Sequence, residues 1–246
     1  FLFSVLFLKS IYGYFIKKYP TIIKFKYFFL IIFILPTLHF SLSYISGIYL
    51  TEHPAVLASK WLELNAPEKS LIVQDHWEES IPKVEGIKFS HERLELYNPD
   101  SYEKFDKIFT LLSQSDYYVI FSNRLYGTIP RLEKRYPVST NFYQKIFDET
   151  LGFEIVNFQK QSMNLLSINY QENYFERINI EKPLDINNYD KDFFINLDLG
   201  WSDESFSVYD HPNVIILKNE KKYSKDKLFE MLDQPSFENS EYDNFS

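Results

Sequence analysis

Residues 27–50, YFFLIIFILPTLHFSLSYISGIYL, contain no charged side chain apart from the titratable His39. At 1.5 Å per residue, a helix over this stretch reaches roughly 36 Å, more than the ~30 Å hydrocarbon core of a bilayer. We therefore read it as a membrane-spanning helix, with a water-soluble domain hanging from its end after Leu50. A cleaved secretory signal is the competing reading. Such a signal has an apolar core of about 7–15 residues and a small-residue cleavage site, and SYISGIYL at 43–50 offers no convincing one. Pro36 and His39 fall near the middle of the span. An ionisable group there usually faces protein or water, so His39 either marks a packing face or bonds a nearby backbone carbonyl.

Upstream, the apolar run FLFSVLFL (1–8) is broken by Lys9 and followed by SIYGYFI. Residues 1–16 read as the remnant of a preceding membrane helix, with a short interfacial segment as the alternative. KKYPTIIKFK (17–26) joins the two apolar stretches as a basic loop. Residues 1–50 hold Lys9, Lys17, Lys18, Lys24 and Lys26 and no acid. The chain is −8 overall, which leaves −13 for residues 51–246. Short basic loops stay in the cytoplasm. This places 17–26 inside, runs the helix 27–50 outward, and makes the chain an integral protein of the cell membrane with residues 51–246 extracytoplasmic.

A net −13 outside argues against nucleic acid and against anionic lipid headgroups as partners. There is no cysteine, hence no disulfide framework or thiolate site. About 195 exterior residues suffice for one domain with its own core. Thr51 is a candidate N-cap and Pro54 suits a first helical turn; Val56, Leu57, Trp61 and Leu64 follow a helical period as far as Asn65. Ser70–Gln74, Asp116–Phe121, Phe153–Phe158 and Val214–Leu217 are short apolar runs that read as buried strands. Residues 78–98 read as loop with one short strand. Helices are expected from Ser101 to Ser113, with Tyr102, Phe105, Ile108, Phe109 and Leu112 on one face, at Ser139–Thr150, and at Ser224–Leu232. Residues 161–203 read as an irregular acidic excursion with two short strands (Leu165–Tyr170 and Phe193–Leu197), and residues 234–246 as a disordered tail. Helices alternating with apolar strands imply an α/β domain over 51–233, a small Rossmann-like sandwich with a mostly parallel sheet. No G-x-G-x-x-G follows the first strand, so a dinucleotide site is unsupported.

Three phrases occur in order: Asp75-His76-Trp77; DYYVIFSNRLYGTIPRLEKRYPVSTNFYQKIFDETLGFEIV from Asp116; and ESFSVYDHPNVIILKN from Glu204. Together they resemble the C-terminal extracytoplasmic region of prokaryotic integral-membrane glycosyltransferases of the dolichyl-phosphate-mannose protein mannosyltransferase-like kind. The related YYY membrane proteins carry a very similar ending. The resemblance covers Thr51–Asn219 with a gap over the acidic excursion. It implies a parent with many membrane helices that takes a sugar from a polyprenyl-phosphate donor. It also implies a catalytic acid in an upstream exterior loop, so no catalytic residue and no cofactor is assigned here. A divalent metal in the parent stays open.

In parallel α/β sheets ligands gather beyond the carboxyl ends of strands. Asp75, His76 and Trp77 stand at one such end; Asn123, Arg124 and Tyr126 stand at another. If the strands are neighbours, Trp77 and Tyr126 would stack on a sugar ring, Asp75 and Asn123 would bond its hydroxyls, and Arg124 would pair with a phosphate. The alternative is that Asp75 and Asn123 tie down loop backbone and that Arg124 bridges to an acid within the fold. Asp210-His211 forms a second Asp-His pair, but Pro212 points to a rigid entry into the following strand, and we assign no metal site.

Overall fold

The computed structural model describes residues 2–18, 26–78, 81–82, 90–183, 186 and 193–232. Most of the basic loop 17–26, and the tail 234–246, lie outside the described residues. Helix α1 (Leu2–Lys18) covers the first apolar segment. Helix α2 (Lys26–Tyr44) continues into one π-helical turn, Ile45–Tyr49, and a short bend leads to α3 (Pro54–Asn65). One helical stretch, beginning at Ile31, is long and apolar enough to cross a membrane, and few of its residues are buried. The apolar side chains of Ile31–Leu35, Leu38 and Leu42 are exposed. A helix that is apolar on its outward faces needs lipid or further protein around it.

The cap of α3 differs from expectation. His53 Nδ1 accepts from the Ala55 N–H at 3.2 Å. The Thr51 hydroxyl instead donates back to the carbonyls of Gly47 and Ile48, at 2.7 and 3.2 Å. Thr51 therefore closes the apolar helix rather than opening the next one.

The main sheet holds β1 (Leu71–Asp75), β2 (Ser90–Leu94), β3 (Tyr117–Ile120), β4 (Phe153–Gln159) and β8 (Val214–Asn219), in the order β2-β1-β3-β8-β4. The β2–β1 and β1–β3 ladders are parallel; the β3–β8 and β8–β4 ladders are antiparallel. The expectation of a mostly parallel sheet is thus corrected to a mixed one, because β8 enters reversed between β3 and β4. Strand alternation divides the core between the two faces. Ile72, Tyr117, Val119, Val214 and Ile216 pack with Ala55, Ala58 and Leu62 of α3. Val73, Tyr118, Ile120, Ile215 and Leu217 pack with α4 (Tyr102–Gln114), α5 (Pro137–Phe147) and the terminal helix Lys225–Met231. Burial on both faces is why these strands read as continuous apolar runs.

Residues 161–203, expected to be irregular with two short strands, contain a second sheet of β5 (Met163–Leu165), β6 (Ile168–Asn173) and β7 (Ile195–Trp201) in that order; β6 and β7 overlap the two expected strands, and β5 was not foreseen. Leu166 and Ser167, both with positive φ (50° and 63°), make the tight β5–β6 turn. This sheet touches the apolar helix. A Cβ on Gly47 would stand 2.0 Å from the Ser162 carbonyl, so only glycine permits the approach. His39 Nδ1 meets the Tyr170 hydroxyl at 2.9 Å, and the Tyr44 hydroxyl donates to Asp210 at 3.0 Å.

Candidate functional site

Strands β1 and β3 are neighbours, so the two groups of residues flagged by the sequence do converge. They separate at once into an interior set and a surface set. Asp75 closes β1 and is almost fully buried. Its Oδ1 accepts from the Tyr118 hydroxyl of β3 at 2.5 Å, and its Oδ2 from the Tyr143 hydroxyl of α5 at 2.8 Å. Burial pushes the Asp75 carboxyl up to about 7, and the two phenol hydrogen bonds offset that only in part.

Three residues on, Glu78 is also buried. The Ser122 hydroxyl lies 3.0 and 2.9 Å from its two oxygens and can donate to only one at a time. Burial, and next the charge of Asp75, push Glu78 up to about 8, against the opposing pull of Ser122 and Arg124. The loop end of the sheet therefore holds two carboxyls that retain protons well above the usual carboxylate range.

Arg124 spans the site. Its Nε donates to Glu204 Oε2 at 3.1 Å, and an Nη donates to the Trp77 carbonyl. It thus ties the loop after β1 to the one-turn helix Glu204–Ser207. Trp77 adopts a left-handed φ of 69°, uncommon for a side chain of its size, and is 61% exposed, with its ring edge-on to His76 at 5.2 Å. His76, Trp77 and part of Arg124 therefore face outward. Asn123 and Tyr126 do not. The Asn123 amide donates to the Ser202 carbonyl at 3.1 Å. Tyr126 accepts from the Asn213 amide at 2.5 Å and stacks on Phe175, with ring centroids 5.3 Å apart. Trp77 and Tyr126 consequently do not flank one ring-sized space. A groove of about 690 Å3 between the end of α5 and residues 178–183 shares no residue with this set.

The second Asp-His pair is engaged elsewhere. Asp210 accepts from Tyr44, and the buried His211 places Nε2 2.9 Å from Glu172 Oε2. Glu172 also accepts from Ser202 at 2.5 Å and Tyr174 at 2.9 Å. Despite burial, these hydrogen bonds and His211 hold its carboxyl below the usual value. Among the described residues no group of three or more His, Asp or Glu side chains is placed to hold a metal ion.

Sequence reasoning missed Glu78, Ser122, Tyr118, Tyr143 and Glu204. Glu78 had a signal, since it stands one residue beyond Asp75-His76-Trp77; the others depend on strand register and helix docking. No family model, no curated protein and no solved structure matches the chain.

Proposed function

We propose that this chain is the last membrane helix and the extracytoplasmic domain of a larger membrane glycosyltransferase that takes sugar from a polyprenyl-phosphate carrier. The domain is non-catalytic and caps the active-site mouth or receives the acceptor. The observation that carries the reading is the junction between helix and domain. An outwardly apolar helix is locked to a folded domain at His39–Tyr170, Gly47–Ser162 and Tyr44–Asp210. A domain held in this way sits at a fixed place over whatever α2 packs against. The charge contrast of five lysines before Leu50 and −13 after it supports an exterior location, and the three phrases from Asp75, Asp116 and Glu204 supply the enzyme class by resemblance.

In this reading the parallel β2-β1-β3 triplet, with helices on both faces, is a Rossmann-like half to which the reversed β8 and then β4 are added. The partners are the bilayer, upstream helices of the parent and, through the parent, the lipid-linked sugar. The acceptor would touch the outward set of His76, Trp77 and Arg124. A phosphate at Arg124 would have to compete with Glu204.

A second reading, a non-catalytic binding or assembly domain of a YYY-type membrane protein, is favoured by one observation. Asp75, Tyr126 and the Asn123 amide nitrogen make their hydrogen bonds inside the fold. The test is sugar transfer by the full-length parent in membranes, with polyprenyl-phosphate donors and with Trp77→Ala beside the unaltered protein. Transfer with a raised acceptor KM in the variant supports the first reading. Absence of transfer across a range of donors overturns it.

A further inference from the structure

The second sheet carries an apolar face whose direction can be worked out from the junction. Strand β5 meets the helix at Gly47, where a Cβ would stand 2.0 Å from the Ser162 carbonyl and 2.8 Å from the Asn164 nitrogen. Tyr170, paired with Met163 of that strand, reaches from this level back to His39 and sets its ring edge-on to Phe40 at 5.0 Å. From Gly47 to His39 is about 12 Å of helix. The sheet face bearing Tyr170 therefore looks along the helix toward its apolar N-terminal part.

Residues paired across adjacent strands share a face, and successive residues alternate. Ile195 pairs with Ile168 and Leu197 with Tyr170, so Ile195 and Leu197 look the same way, while Asn196 and Asp198 look the opposite way. Ile195 and Leu197 are 39% and 43% exposed. At the same end of the sheet stand Phe194, 89% exposed, and the turn residue Leu166, 82% exposed; the Ile195 N–H donates to the Ser167 carbonyl beside it. Neither Ile195 nor Leu197 has a charged residue beside it on its own face of β7, whereas alternation turns Phe194 toward the side of Asn196 and Asp198.

We propose that Leu166, Ile195 and Leu197 rest on the outer surface of the bilayer that α2 crosses, at the boundary of headgroups and acyl chains. This rests on the reading of α2 as a membrane span. The occupant is lipid because the face looks down the helix onto the level of Leu35, Leu38 and Leu42, whose exposed side chains continue the same apolar surface. The contact is shallow. Among the described residues β7 is an edge strand, and backbone groups left unpaired on such an edge cannot enter hydrocarbon. It is driven by apolar burial, since an exterior of −13 gains nothing from anionic headgroups.

The chain contains no cysteine, so single cysteines can carry an environment-sensitive fluorophore without background labelling. The full 246-residue chain is reconstituted in phosphatidylcholine vesicles with label at Leu35→Cys, Leu166→Cys, Leu197→Cys or Glu103→Cys, the last on the exposed surface of α4. Quenching is read with nitroxide lipids and with aqueous iodide. The expected result is lipid quenching at 35, 166 and 197, with iodide quenching at 166 and 197 about threefold below that at 103. Lipid quenching at 35 with 166 and 197 as open to iodide as 103 overturns the inference and leaves the membrane helix standing. Shielding of 166 and 197 from both quenchers means that protein covers the face, and also overturns it. Iodide access at 35 overturns the span itself, and the inference falls with it.

Discussion

Asp100 and Asp75 are both buried carboxyls at the edges of the same core, and they are handled in opposite ways. Asp100 Oδ2 accepts from the Val138 and Ser139 N–H groups in the first turn of α5, at 2.8 and 3.0 Å. Its Oδ1 faces the Lys104 ammonium at 2.8 Å and accepts from the Ser139 hydroxyl at 2.5 Å. Lys104 is itself buried and donates to the carbonyls of Leu96 and Asn98, at 2.7 and 2.8 Å. Here a helix N-terminus and a counterion meet one anion, and the cluster fastens α4, α5 and the preceding loop together. Asp75 has two phenols and, among the described residues, no cation in contact, with a second buried acid, Glu78, nearby. The first arrangement surrounds a carboxyl with backbone donors and a cation; the second leaves burial to push a carboxyl up, offset only in part by two phenols. A buried acid therefore does not by itself mark a reactive site, and its partners decide.

The comparison breaks most sharply at Lys104. Lys104→Met leaves Asp100 without its cation, and we expect a loss of about 3–5 kcal/mol in urea unfolding of the detergent-solubilised chain; a loss under about 1 kcal/mol would show that the two backbone donors suffice. The next largest effect is pH dependence. Asp75 rests near 7 folded against 3.8 for the free residue, and Glu78 near 8 against 4.5. Between those values the unfolded chain has released protons that the folded chain still holds. The contribution of these two groups is therefore full below about pH 4 and declines as pH rises through their folded values. From pH 5 to 8 Asp75 alone accounts for about 3 kcal/mol, and Asp75→Asn with Glu78→Gln should flatten the curve measured by thermal unfolding. An unchanged slope in the double variant would place the titration elsewhere. The smallest effect is at Tyr143. Tyr143→Phe removes one donor to Asp75 and should cost about 1 kcal/mol, more at pH 9 than at pH 5, because the ionised carboxylate needs that hydrogen bond most. An equal cost at both pH values would mean that Tyr143 contributes only packing.

What could be read in the sequence follows from burial. β1, β3 and β8 are covered on both faces and are written as unbroken apolar runs. The stripe of Phe105, Ile108, Phe109 and Leu112 marks the buried side of α4, while Tyr102 of the same stripe lies at the surface and stacks on Phe229. β2, SHERL, leaves no such mark because, among the described residues, it is an edge strand that buries only Leu94 in the core. Two strands of the second sheet were legible near β6 and β7, but their assembly with β5 into one sheet was not. Its strands alternate Asn and Asp with apolar residues, and β6 and β7 pair in parallel across a long separation that no local pattern announces. At the site, the strand-end position of Asp75 was legible from the apolar run before it. That Tyr118 and Tyr143 would close on it was not, since one follows from sheet alternation and the other from how α5 lies across the sheet. Asn123 and Tyr126 turn inward because the chain folds back after Ser122, the Gly127 N–H donating to the Asn123 carbonyl at 2.8 Å.

The π turn at Ile45–Tyr49 and the glycine within it give the apolar helix and the α/β domain the relation of two meshed gears rather than a weight on a string. Each residue of helix advances the azimuth by about 100°. Inserting one amino acid beside Ser46 would swing the domain by that angle about the helix, pulling Tyr170 off His39 and Asp210 off Tyr44 together. Phase, more than tether length, would then fix which side of the domain faces whatever packs on the helix.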